Sequence, residues 1–393
     1  MTRRAGKKPA SLAGAAQPST LLGRRALVLS LAAMGLTSAS AEACRAASAP
    51  PGPLAPGVPA GTTAARGEAG GAGASGTDAG SRTLGTRVEL HSWFDLPVED
   101  SRSRELSGIA WDEPAWTLWG VQDETANIVA LKPDRDLRKW TFGSTITLKM
   151  TFPLDLEGIA VTPDGFIVAS EKGPRVLEVD RQGKLRKDIE LPAHFAKARD
   201  NKSLESLTVS PDGRYLFTTS EAALRCDGDS PTLAKGSRLR ILRITLATGE
   251  NAEHAYATDP LPHDAGDYGV ADLVALSADE LLVLERGWSR GVGNTARIYR
   301  VNLADPTTSC LTVPELGEGA PVLPKKLLVD LSKLPARGFP AAKQQQDTPL
   351  LDNYEGMALG PRLPDGRDIL FLISDDNGRS DQYARVLVLS VKR

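Results

Sequence analysis

Five times along this chain a short apolar run opens with a polar residue at one register: ELSGIAW at 105–111, DLEGIAV at 155–161, SLESLTV at 203–209, VADLVAL at 270–276 and NYEGMAL at 353–359. Aligned on the run, one column reads Ser107, Glu157, Glu205, Asp272 and Glu355. A turn follows each copy, Pro-Asp-Gly in three of them, and then a second run: TLWGVQD, FIVASE, YLFTTSE, LLVLE and ILFLISD. A third run closes each copy: NIVALKPD, RVLEVD, RLRILRITL, ARIYRVNL and ARVLVLSVK. Short alternating runs between Asp-Gly turns, with no helical period, predict an all-β chain. Units of roughly 40 to 50 residues with about four strands each stack around an axis as the blades of a β-propeller.

Five blades are expected. Six is the alternative, because the last interval holds a long insertion, 307–350, in which LPKKLLVDLSKL at 323–334 reads as a weak further blade. Shorter insertions lie at 226–237 and 250–267. The run TRVELHSWFDL at 86–96 is expected to join the C-terminal strands and close the ring.

The repeat assigns 86–393 to one domain. Ahead of it, basic residues precede an apolar run at 26–36 that is too short to span a bilayer, and small residues follow, so 1–43 reads as a signal peptide. Arg24-Arg25 suggests twin-arginine export, and Cys44 after Ala-Glu-Ala is a candidate lipid anchor. Residues 44–85 are mostly Ala, Gly, Pro, Ser and Thr with almost no large apolar residue, the composition of a flexible tether. The expected location is periplasmic or extracellular, with no transmembrane span. In such a compartment Cys226 and Cys310 are candidates for a disulfide, which spacing alone leaves open. With 47 basic and 49 acidic side chains, total charge favours neither nucleic acid nor an anionic membrane. A monomer is expected.

The start of one strand neighbours the end of its hairpin partner, so the first column meets a second, Asp123, Glu171, Glu221, Glu285 and Asp375, at one mouth of the channel. Carboxylates that close repel by on the order of several kcal/mol, which calls for protonation or a bound cation. Oxygen ligands without clustered His or Cys point to a hard ion, calcium first and magnesium second. Ser107, Glu157, Glu205, Asp272 and Glu355 are the expected metal ligands. Lys172, Arg286 and Arg379 follow the second column, and a metal rimmed by such residues suits an anionic oxygen, most naturally phosphate. The 287–293 loop is a further candidate ligand wrap, and His194 and His263 are candidate acid–base residues. No His-Glu-x-x-His, Cys-x-x-Cys or Walker motif occurs.

The segments DLEGIAV, SLESLTVSPDGRYLF and NYEGMALGPRLPDGR with FLISDDN resemble the phytase-like, or esterase-like activity of phytase, domain of exported bacterial proteins. The order of ELS, Glu, Glu-Ser and YEG is also similar to the five-bladed calcium-dependent apyrases. That resemblance implies that Ser107, Glu157, Glu205 and Glu355 bind calcium, while Asp272 stands where the apyrases tend to carry a Ser. The expectation is an exported calcium-binding propeller that hydrolyses phosphoesters or phosphoanhydrides of a small anionic substrate. Glu171 or Asp375 would orient water, and Lys172, Arg286 and Arg379 would offset charge. The alternatives are a non-catalytic propeller with a structural calcium and a metal-dependent carboxyl-ester or lactone hydrolase.

Overall fold

The computed structural model describes residues 84–264 and 266–392. The predicted signal peptide, Cys44 and all but the last residues of the predicted tether lie outside the described residues. Among those described, no helix is long and apolar enough to cross a membrane.

The first strand, β1 (Arg87–Asp95), is followed by five sets of antiparallel strands. Blade 1 is β2 (Leu106–Asp112), β3 (Thr117–Gln122), β4 (Asn127–Pro133) and β5 (Trp140–Thr147). Blade 2 is β6 (Leu156–Thr162), β7 (Gly165–Ser170), β8 (Arg175–Asp180) and β9 (Leu185–Ile189). Blade 3 is β10 (Thr208–Val209), β11 (Tyr215–Thr218), β12 (Arg238–Thr245) and β13 (Asn251–Ala257). Blade 4 is β14 (Gly266–Ala275), β15 (Glu280–Ser289), β16 (Gly293–Asn302) and β17 (Lys325–Asp330). Blade 5 is β18 (Tyr354–Arg362), β19 (Asp368–Ser374) and β20 (Arg385–Lys392), with β1 as its outer strand. The chain is therefore a five-bladed β-propeller closed by its N-terminal strand, as the repeat predicts. The 323–334 segment is no sixth blade; its central residues are β17, the outer strand of blade 4, reached across an insertion.

The apolar faces of neighbouring blades meet to form the core. Trp119, Val121, Ile159 and Phe166 fill the space between blades 1 and 2, and Leu106, Ile109, Ile369 and Phe371 fill that between blades 5 and 1. Trp119 meets Phe166 edge-on at 5.1 Å, and Trp140 meets Phe371 in the same way at 5.5 Å. Such pairs add about 1 kcal/mol to their area burial.

The glycines in the repeat words have a steric cause. A Cβ on Gly158 would lie 2.7 Å from the Leu207 Cβ of the next blade, and one on Gly356 would lie 2.4 Å from the Ser107 carbonyl. The innermost strands converge here, so the residue after the ring position has no room for a side chain pointing at its neighbour.

Candidate metal centre

The ring residues are set by bulges. In blade 2, Leu156 pairs with Ser170 and Gly158 with Ala169, so Glu157 is left unpaired between them. In blade 5, Tyr354 pairs with Ser374 and Gly356 with Ile373, leaving Glu355. Ser107 follows the Leu106–Gln122 pair and Glu205 follows the Leu204–Ser220 bridge in the same way. A bulge re-aims one side chain out of the pleat, here repeatedly toward one mouth. The second ring comes just beyond the last pair: the amides of Asp123, Glu171, Glu221 and Asp375 donate to the carbonyls of Glu105, Asp155, Ser203 and Asn353 at 2.8 to 3.1 Å.

Blade 4 departs from the sequence alignment by one residue. Val270 pairs with Glu285 and Asp272 with Leu284, so the bulged residue is Ala271. Asp272 takes the place that glycine holds in blades 1, 2 and 5. Its carboxylate accepts the amides of Met357 at 2.7 Å and Leu273 at 2.8 Å, and also receives the Leu207 amide. It ties blade 4 to blades 3 and 5 below the ring, and burial pushes its pKa well above the usual carboxylate value against the pull of those amides. Glu285 likewise leaves the second ring. It is buried against the Tyr256 hydroxyl, with Lys325 Nζ at 2.5 Å and the Asp259 amide at 3.0 Å. The residue in its ring position is Arg286, opposite Gly269.

The structure brings together Glu157, Glu171 and Glu205, whose carboxylate oxygens lie within 4.8 Å of one another. A second group, Asp123, Asp155 and Glu157, meets the same limit and shares Glu157. Ser107 Oγ donates to Glu157 Oε2 at 2.6 Å, and the Ser203 amide donates to Glu171 Oε1 at 2.8 Å. Burial first, then the charges of Glu355 and Asp123, raise the Glu157 pKa well above its ordinary value. Burial and the neighbouring Glu157 and Glu221 do the same to Glu205. Asp375 is raised by burial and by Glu355.

On the other side of the mouth Arg286 Nη2 lies 3.1 Å from Glu355 and 3.7 Å from Glu221. Burial opposes its charge, but Glu355, Glu221 and Glu205 outweigh that and raise its pKa. Lys202 lies 3.5 Å from Glu221 and also pairs with Asp267. Asp155 and Lys202 were not singled out from sequence; each sits at the entry to an innermost segment, where only the closed ring shows that it faces the mouth.

Other expected site residues lie apart. Lys172 is exposed, and Arg379 is exposed and paired with Asp381 at 2.8 Å. His194 lies 2.7 Å from Glu253, within a buried network around Arg240, and His263 is exposed. The 287–293 segment is the tip of the β15–β16 hairpin. No disulfide joins Cys226 to Cys310, so the candidate pairing is not formed.

The model of the family described as Phytase-like, esterase-like activity of phytase, matches residues 102–378. No curated protein matches the chain. Among solved structures the chain is similar to Kuenenia stuttgartiensis hydrazine synthase (13% identity, 73% of this chain and 62% of that one, TM-score 0.34). It is also similar to an endo-arabinase from Bacteroides thetaiotaomicron (13%, 76% and 97%, TM-score 0.42) and to the PQQ-bound aldose sugar dehydrogenase from Streptomyces coelicolor (13%, 79% and 100%, TM-score 0.37). The chain thus spans less than two thirds of the hydrazine synthase chain, and at these scores the likenesses carry no statement about activity. The family match takes in all five ring segments, and the chain belongs to the phytase-like family.

Proposed function

We propose that the protein is an exported, calcium-binding hydrolase of small phosphoesters, working outside the cytoplasm where calcium is abundant. The observation that supports this most is the pair of carboxylate clusters sharing Glu157, buried except at the half-buried Asp155. Their donors are all carboxylate oxygens, without His or Cys, which fits a hard divalent ion and calcium in particular. Glu157, Glu171 and Glu205 would hold it, with Asp123 and Asp155 beside them. Bound there, calcium supplies positive charge that attracts phosphoryl oxygens and stabilises charge developing on them. Ser107 fixes one oxygen of Glu157 and the Ser203 amide fixes one of Glu171, so the cluster is oriented by its own blades. Asp375, in the same ring as Glu171, is the residue we assign to orient the attacking water.

The test is phosphate release by the full chain from phytate, nucleotides and simple monoesters, with calcium or EDTA, for wild type and Glu205→Ala. Calcium-dependent release that the substitution abolishes supports the reading. Turnover indifferent to both removes it. Turnover confined to short acyl esters or lactones selects a carboxyl-ester hydrolase instead, and a melting temperature lowered by chelation without turnover on any ester selects a structural calcium.

A further inference from the structure

The face that blade 2 turns toward blade 3 changes character along its length. Nearer the carboxylate mouth, the cross-strand row Ala169, Val176 and Ile189 is apolar and joins Leu216 and Ile244 of blade 3 in one core. The next row runs Ala160, Ile167, Glu178 and Lys187, so half of it is charged. Blade 3 meets it with an apolar row, Val209, Leu216 and Ile244. Charged groups lose water when an apolar wall closes on them, and that cost keeps the two sheets apart. The result is a cleft of about 910 Å³ with Ile167, Ile189, Ile244 and Leu246 as its apolar floor.

Carboxylates are spread along this cleft. Asp164 follows β6 and Glu190 follows β9; the two strands run antiparallel, so these residues line the cleft from opposite ends of the blade 2 sheet, with Glu178 between. Among the described residues, none of these three carboxylates has an ion-pair or hydrogen-bond partner, and Glu178 is half-buried. Asp188 and Asp212 also line the cleft but are paired with Arg175 and Arg214, and Lys187 is its one cationic lining residue. An apolar floor with unpaired acids at both ends complements an elongated molecule that carries a positive charge at each end.

We propose that this cleft binds an aliphatic dication, an α,ω-diamine whose methylene chain lies on the isoleucine floor while its ammonium groups meet the carboxylates. An ammonium offers three donors from a compact charge and suits separate carboxylates better than a planar guanidinium does. Each methylene taken from water adds about 0.8 kcal/mol, and the cleft has the volume of a small-molecule site. No ring residue lines it, so the site is independent of the calcium reading.

The experiment is calorimetry on the full chain at physiological ionic strength, with α,ω-diaminooctane, octylamine and α,ω-octanediol as probes. Wild type should bind one diamine per chain, octylamine more weakly, and the diol not at all. Glu178→Gln should weaken the diamine about tenfold, the scale of one charged hydrogen bond. Glu190→Gln, on the exposed rim, should also weaken it and carries the test if Glu178→Gln melts early. Glu205→Gln, at the channel mouth, should leave the affinity unchanged. The proposal is overturned if wild type binds no diamine, if the diol binds as well, or if neither cleft substitution matters. Loss of binding in Glu205→Gln would place the diamine at the channel mouth and overturn it equally.

Discussion

Ser107 in blade 1 donates its hydroxyl proton to Glu157 in blade 2 at 2.6 Å, joining two residues fifty positions apart in the chain. The bond spans a blade boundary, so the mouth is built from side chains that meet only when the propeller closes. Its carboxylates are correspondingly hard to keep charged, and the closure of the ring and the chemistry of the site are one problem.

Asp272 should behave as a structural residue. Asp272→Ala strands the buried amides of Met357, Leu273 and Leu207 and should cost about 3 kcal/mol or more, since each unsatisfied donor costs roughly 1 to 3 kcal/mol. Asp272→Asn retains an acceptor and should cost less than half as much. Urea denaturation in EDTA checks both, and equal losses would argue against the staple.

Arg240 holds the 306–323 insertion to blade 3 through the carbonyls of Cys310 and Val313 while pairing with the buried Asp227 and Glu253. Arg240→Met leaves the buried Asp227 without a counter-ion and Glu253 with His194 alone, at about 3 to 5 kcal/mol. Limited proteolysis should cut this variant within the insertion at protease concentrations that leave wild type intact.

Stability should fall across weakly acid pH because of Asp352. Burial raises its pKa from 3.8 to about 6 against the Asn353 amide, Arg385 and the Tyr383 amide. The folded state holds this proton more tightly than the unfolded chain does. The associated stability, about 3 kcal/mol, is therefore fully present below pH ~4 and lost as pH rises through about 6. Asp352→Asn should unfold at higher denaturant than wild type at pH 8, with the difference shrinking toward pH 4. A difference independent of pH would contradict the assignment.

The five ring segments were legible because bulge and blade contact demand a distinctive word, an acid or serine followed by glycine or serine, and four blades write it. Blade 4 writes Val-Ala-Asp-Leu, with no small residue after the ring position, and letter matching drew Asp272 into the column. Only strand pairing shows that Ala271 and Arg286 occupy the rings. Lys172 and Arg379 follow ring residues in sequence, yet adjacent residues of an extended chain point opposite ways, and a carboxylate two residues on captures Arg379. Lys202 reaches the mouth from a loop whose position depends on blade 4, which no local pattern encodes.

Glu157 belongs to both carboxylate groups, so calcium calorimetry on wild type and Glu157→Gln weighs the central claim most directly. Wild type should bind calcium, and the substitution should weaken binding at least tenfold while raising the melting temperature in EDTA by a few degrees, since one of the mutually repelling acids is gone. Calcium affinity that is absent in wild type, or unchanged in Glu157→Gln, would contradict the account.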